Sequence, residues 1–130
     1  MTKEEHIEYW LETAGEDWKT ANHLFEKGDY SWCLFLCHLV LEKYLKALYV
    51  QNVDKSVPYK QQLSIIAKKA KLHLTNNQID FLDEVTEFNI ETRYSDYKKR
   101  FREKATKTFT LNYIQKIKEF KKWLRTLIKI

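Results

Sequence analysis

Two groups of residues in this chain carry side chains able to act on a charged ligand. The first is the run Arg93-Tyr94-Ser95-Asp96-Tyr97, followed at once by Lys98, Lys99 and Arg100. Arginine offers a planar fork of donors that matches a phosphate, and tyrosine rings stack on nucleobases. Asp96 is placed to orient Arg93 or to accept from a sugar hydroxyl. The same residues also have a structural reading, in which an Arg93–Asp96 pair ties the segment to the core while the tyrosines pack. The second group is Glu42, Lys43 and Lys46. Glu42 and Lys46 form an i, i+4 pair of the stabilising orientation. A glutamate on a largely apolar helix requires a cation, and Arg93 is an attractive one, so the Glu42-Lys43 turn is expected to pack against the Arg93 segment. His38 and Glu42 share the spacing of two metal ligands. A site needs a third, and a hydrogen-bonded core histidine has the same pattern. No metal or cofactor is assigned.

Acid–base chemistry is harder to place. The histidines, His6, His23, His38 and His73, all precede Arg93. Imidazole titrates near pH ~6.5, whereas lysine at ~10.4 and arginine above ~12 stay protonated unless heavily desolvated. Arg93, Lys98, Lys99 and Arg100 therefore read as an anion-binding cluster. A base, if one exists, would have to be His38, Tyr97 or a desolvated lysine.

The elements that position these residues are helical. Thr2 through Glu5 has the form of a capping box, and apolar residues from Ile7 to Phe25 recur at three- and four-residue spacing, so a first helix runs from residue 3 to about 27. Gly28 can take the left-handed conformation that stops it, and Asp29 can cap the next. Asp29 to Gln51 is apolar on nearly every face, which marks the central helix of a bundle. Pro58 is expected in the first turn of a third helix carrying Leu63, Ile65, Ile66, Ala67 and Ala70 inward. Thr75 through Gln78 repeats the capping box, opening a fourth helix to about Ile90 that buries Ile79, Leu82, Val85 and Phe88. Glu91 to Lys104 lacks helical periodicity. A long last helix follows from Thr106 or Thr108. Its polar side carries Lys116, Lys118, Lys121, Lys122, Arg125 and Lys129, either a solvated face or an RNA track. The expectation is a single domain over residues 1–130, all-α, an antiparallel bundle of four long helices plus one shorter one.

Composition sharpens this. With 44% hydrophobic residues, 2 Gly and 1 Pro, the chain is neither disordered nor a turn-rich β fold, and glycine phosphate loops are excluded. No signal peptide or membrane span is evident. Cys33 and Cys37 read as buried free thiols, which fits a reducing cytoplasmic compartment. The net charge of +5 is uneven. Residues 1–92 hold 10 Lys/Arg against 15 Asp/Glu, and residues 93–130 hold 13 against 3. Either the C-terminal part meets an acidic partner or nucleic acid, or an acidic first helix lies beside a basic last one.

Taken in order, several segments resemble HEPN-domain proteins. Ala14 to Asp17 and Ala21 to Leu24 are similar to the first-helix A-x-x-D and A-x-x-L pattern. Glu42-Lys43-Tyr44-Leu45-Lys46-Ala47 is similar to the E-K-x-x-K-A core of the second helix, and Arg93-Tyr94-Ser95-Asp96 to the R-Y-P-D segment. The resemblance implies a helical bundle, a homodimer, and one of two roles. Many members are metal-independent endoribonucleases with an R-x(4–6)-H motif, often toxins. Others bind nucleotides or RNA, or partner a nucleotidyltransferase in toxin–antitoxin or defence systems. After Arg93, the histidine would fall at 98, 99 or 100, which hold Lys98, Lys99 and Arg100. Gln61 also stands where the family's P-x-x-H-x-L segment often has histidine. These departures favour the binding role, with a divergent endoribonuclease as the alternative.

Overall fold

A computed structural model describes residues 1–59 and 62–130, with Ser95 described by its backbone only. Position 61, where Gln61 stands in place of a histidine, lies outside the described residues. Among those described there are helices and no strands: α1 Lys3–Glu26, α2 Tyr30–Asn52, α3 Leu63–Lys69, α4 Asn76–Arg93, α5 Ser95–Lys104 and α6 Lys107–Thr126.

Both capping boxes form, with the Thr2 and Thr75 hydroxyls accepting from the N–H groups of Glu5 and Gln78. Gly28 ends α1 at φ 81°, a conformation costly for any residue with a Cβ. Asp29 occupies the cap position of α2, yet its side chain makes no cap hydrogen bond. The Lys71 backbone also turns left-handed, at φ 64°, and stops the chain just after α3.

The α2 helix is the axis of the molecule. It packs against α1, α3, α4, α5 and α6. Cys33, Leu34, Cys37, Leu41, Leu45 and Leu48 are all fully buried on it. Helix α4 meets α6 through rings: Phe88 stands edge-on to Tyr113 at 5.0 Å, and Phe81 tilts against Phe120 at 5.4 Å. The Tyr113 hydroxyl donates to Glu84 in the same seam.

Two boundaries differ from the sequence expectation. Pro58 does not open α3. The helix begins five residues later, and the Thr86 hydroxyl of α4 accepts from the Leu63 N–H at 3.1 Å. That bond satisfies an N-terminal donor which Gln62, at the cap, leaves open. The aperiodic stretch 91–104 is also helical. Helix α4 continues through Arg93, and α5 follows after a single break at Tyr94, giving six helices among the described residues where five were expected. Phe101 is the reason α5 holds: it is buried and stacks on Phe88 with ring centres 5.5 Å apart. One aromatic anchor every ten residues is too sparse to show as a period. Ile79, expected inside, is exposed.

Candidate functional site

Arg93 closes the last turn of α4, where a cation complements the negative end of the helix dipole. Its Nε–H donates to the Asn89 carbonyl at 3.3 Å. The guanidinium carbon sits 5.7 Å from the centre of the Phe35 ring on α2 and 5.9 Å from that of Tyr94. One residue earlier, the Thr92 hydroxyl donates to the Ser31 carbonyl at 3.3 Å and pins this end of α4 to the first turn of α2. Lys98 on α5 lies 5.8 Å above the Trp32 ring, and Trp32 stands edge-on to Phe35 at 5.5 Å. The structure thus assembles two cations, Arg93 and Lys98, over an aromatic platform of Trp32, Phe35 and Tyr94. Cations so placed gain from the ring quadrupole and are held at a fixed spot on the surface.

Beside this platform an open cleft of about 440 Å³ is bordered by Gln62, Asp83, Glu87, Asn89, Arg93 and Tyr94. Its lining includes Arg93 and two carboxylates, Asp83 and Glu87, one helical turn apart on α4. Ser64 donates to Asp83 at 2.6 Å and orients that carboxylate. Chemically, an arginine can hold a phosphate, whereas carboxylates such as Asp83 and Glu87 repel one and can accept from hydroxyls or exocyclic amines.

His38 is fully buried, its ring stacked at 17° and 6.5 Å from Phe35. Phe35 therefore neighbours both Arg93 and His38. Among the described residues no group of three His, Cys, Asp or Glu side chains is arranged to hold a metal ion.

The second predicted group faces elsewhere. Glu42 takes Lys46 as its cation, at 3.2 Å, in place of the Arg93 partner expected from the sequence. Lys43 reaches Asp17 of α1 at 2.6 Å, and Lys46 lies 5.1 Å from the centre of the Trp10 ring. The Glu42-Lys43 turn therefore docks α2 onto α1. Arg93 instead meets α2 at Phe35, seven residues or about 10 Å earlier along the axis. Glu42 is buried, and its Oε1 has no hydrogen bond among the described residues.

Of the remaining predicted residues, Asp96, Tyr97, Lys99 and Arg100 are exposed on α5. Asp96 lies in the first turn of α5, where a negative charge complements the helix N-terminus. Trp32 and Phe35 were missed because they lie inside the apolar run of α2. Their i, i+3 spacing, continued by His38, was the available signal.

The HEPN domain family model matches residues 7–127, and the chain belongs to that family. The crystal structure of TT1696 from Thermus thermophilus superposes with a TM-score of 0.80 at 17% identity, covering 94% of this chain and 98% of that one. At that identity the likeness establishes the fold. No curated protein matches the chain. No helix among the described residues is long and apolar enough to cross a membrane.

Proposed function

We propose that this HEPN-family chain is a non-catalytic module that binds a nucleotide or RNA, with Arg93 holding a phosphate and Tyr94 stacking on a base. Lys98 supplements the charge, and Tyr97, Lys99 and Arg100 extend it along α5. Asp83 and Glu87 favour a ligand that brings hydroxyl or amine donors next to its phosphate, as a ribonucleotide does. The observation that carries this reading is the burial of His38. Cleavage by a 2′-hydroxyl needs a base within hydrogen-bond reach of that hydroxyl, and an imidazole with no exposed surface beneath Phe35 offers none to a ligand at Arg93.

The module acts as one cytoplasmic unit and forms a homodimer. Its partner is a nucleotidyltransferase, or it serves in a toxin–antitoxin or defence system. The free, buried thiols of Cys33 and Cys37 suit a reducing compartment.

The test uses labelled single-stranded RNA from about pH 6 to pH 8, the range in which histidine titrates. Binding without cleavage, weakened about tenfold in Arg93→Ala, is the expected result. Cleavage lost in both Arg93→Ala and His38→Ala would establish the divergent endoribonuclease instead. RNA binding indifferent to Arg93→Ala would leave Arg93 a structural residue. Gel filtration tests the homodimer, and co-purification with a co-expressed nucleotidyltransferase tests the partner.

A further inference from the structure

A second basic site lies away from Arg93. Lys118, Lys121, Lys122 and Arg125 of α6 surround a pocket of about 370 Å³, with Tyr44 of α2 among its walls. Tyr44 follows Phe35 by nine residues, about two and a half helical turns, so the two side chains leave α2 on opposite sides. The pocket and the Arg93 platform therefore occupy different faces of the bundle.

Three observations make this pocket more than a solvated helix face. None of its four cations is joined to an Asp or Glu by an ion pair among the described residues, and no carboxylate lines it. Lys121 is half-buried, 4.9 Å from the centre of the Trp18 ring, and burial together with nearby Lys118 lowers its pKa. Lys121 is thus partly desolvated and repelled by Lys118, with no carboxylate in the pocket lining to offset either. Burial also pushes the Tyr44 phenol up, against the opposing pull of Arg125, which keeps its O–H a donor.

We propose that this pocket binds an oligophosphate, with Lys118, Lys122 and Arg125 gripping successive phosphates and the Tyr44 hydroxyl donating from the wall. The positions 118, 121, 122 and 125 span two turns of one helix, about 10 Å, which suits a chain of three phosphates. A longer RNA strand would need the stripe to continue, and the positions three, four and seven residues before Lys118 hold Gln115, Ile114 and Leu111. A nucleoside triphosphate and inorganic tripolyphosphate share this chemistry. The site does not depend on the Arg93 reading.

Calorimetric titration of the full chain with tripolyphosphate and with ATP, at about 0.15 M salt, tests it. Both are expected to bind, and Lys118→Ala/Arg125→Ala is expected to weaken both at least about tenfold, while Lys55→Ala, at an exposed lysine outside both sites, changes neither. Lys122→Ala, at an exposed position, gives the same direction in a second variant, and circular dichroism verifies that each variant is folded. Equal affinity for the two ligands assigns recognition to the phosphate chain alone. Tighter ATP binding with the same variant loss places the nucleoside against Tyr44. The proposal is overturned if sulfate binds as well as tripolyphosphate, or if the variants leave binding intact. It is equally overturned if single-stranded RNA binds through Lys118 and Arg125 while tripolyphosphate does not.

Discussion

The Arg93 guanidinium is presented, not buried, and Phe35 is the surface that presents it. Replacing that ring with an aliphatic side chain of similar bulk removes the quadrupole but keeps most of the packing. Phe35→Leu should therefore weaken RNA binding about two- to fivefold, the worth of an exposed cation–π contact, while lowering stability by less than about 1.5 kcal/mol. Anisotropy titration beside a urea melt separates the two effects. Tyr113 gives a second residue-scale prediction. Burial, and the hydrogen bond it donates to Glu84, raise its phenol well above the usual range. Because the folded pKa is raised, the unfolded chain loses this proton first as pH rises. The contribution to stability is present below the ordinary tyrosine value of about 10 and is lost as pH climbs above it. Urea midpoints of the wild type should fall between about pH 9 and pH 11, and Tyr113→Phe should fall less steeply; equal slopes would refute the linkage.

At the scale of elements, the helix starts with chemical punctuation were legible in the sequence. Thr2 and Thr75 announce α1 and α4 through local bonds that need no tertiary partner. Where a boundary depends on a distant side chain, the sequence was mute: α3 starts where Thr86 reaches back to it, and α5 exists because Phe101 finds Phe88. The Arg93 segment could be singled out, since its residue types are unusual together. Its seat on Trp32 and Phe35 could not, because two aromatics within an apolar run look like core. The misplacement of Glu42 has the same origin, since its i, i+4 partner Lys46 satisfied it locally. Helix starts can be tested directly. Thr75→Ala removes a formed cap and should cost about 1 kcal/mol. Asp29→Ala removes a residue that makes no cap bond and should stay within about 0.5 kcal/mol. Denaturant midpoints that rank the two the other way would overturn the distinction.

For the whole molecule, the structure bears on one reading of the charge asymmetry, the acidic first helix beside the basic last one. Acidic α1 and basic α6 do meet, at Trp18 and Lys121. The described ion pairs, however, are Lys43–Asp17 and Lys46–Glu42, so the positive side chains of α6 are not neutralised by α1. The field of α5 and α6 remains available to an anion and strengthens as salt falls. RNA affinity should therefore drop linearly on a log–log plot against salt. Arg93→Ala should make that slope shallower by about 0.7, the share of one phosphate contact on a single strand. Lys118→Ala/Arg125→Ala should leave the RNA slope unaltered, since the α6 pocket is assigned to a different ligand. A change in the second variant and none in the first would exchange the two assignments.

The central place of α2 also bears on how the chain is made. Synthesis delivers α1 and α2 before the helices that follow them, and the short Gly28 turn lets the two pair while those are still being translated. The apolar side of α2 that packs against α4 and α6 must then wait for those helices, the last of which begins at Lys107. For that interval the nascent hairpin carries an uncovered apolar flank, the condition under which chaperones are recruited and incomplete chains aggregate. Truncation before α6 should therefore harm yield more than its loss of residues suggests.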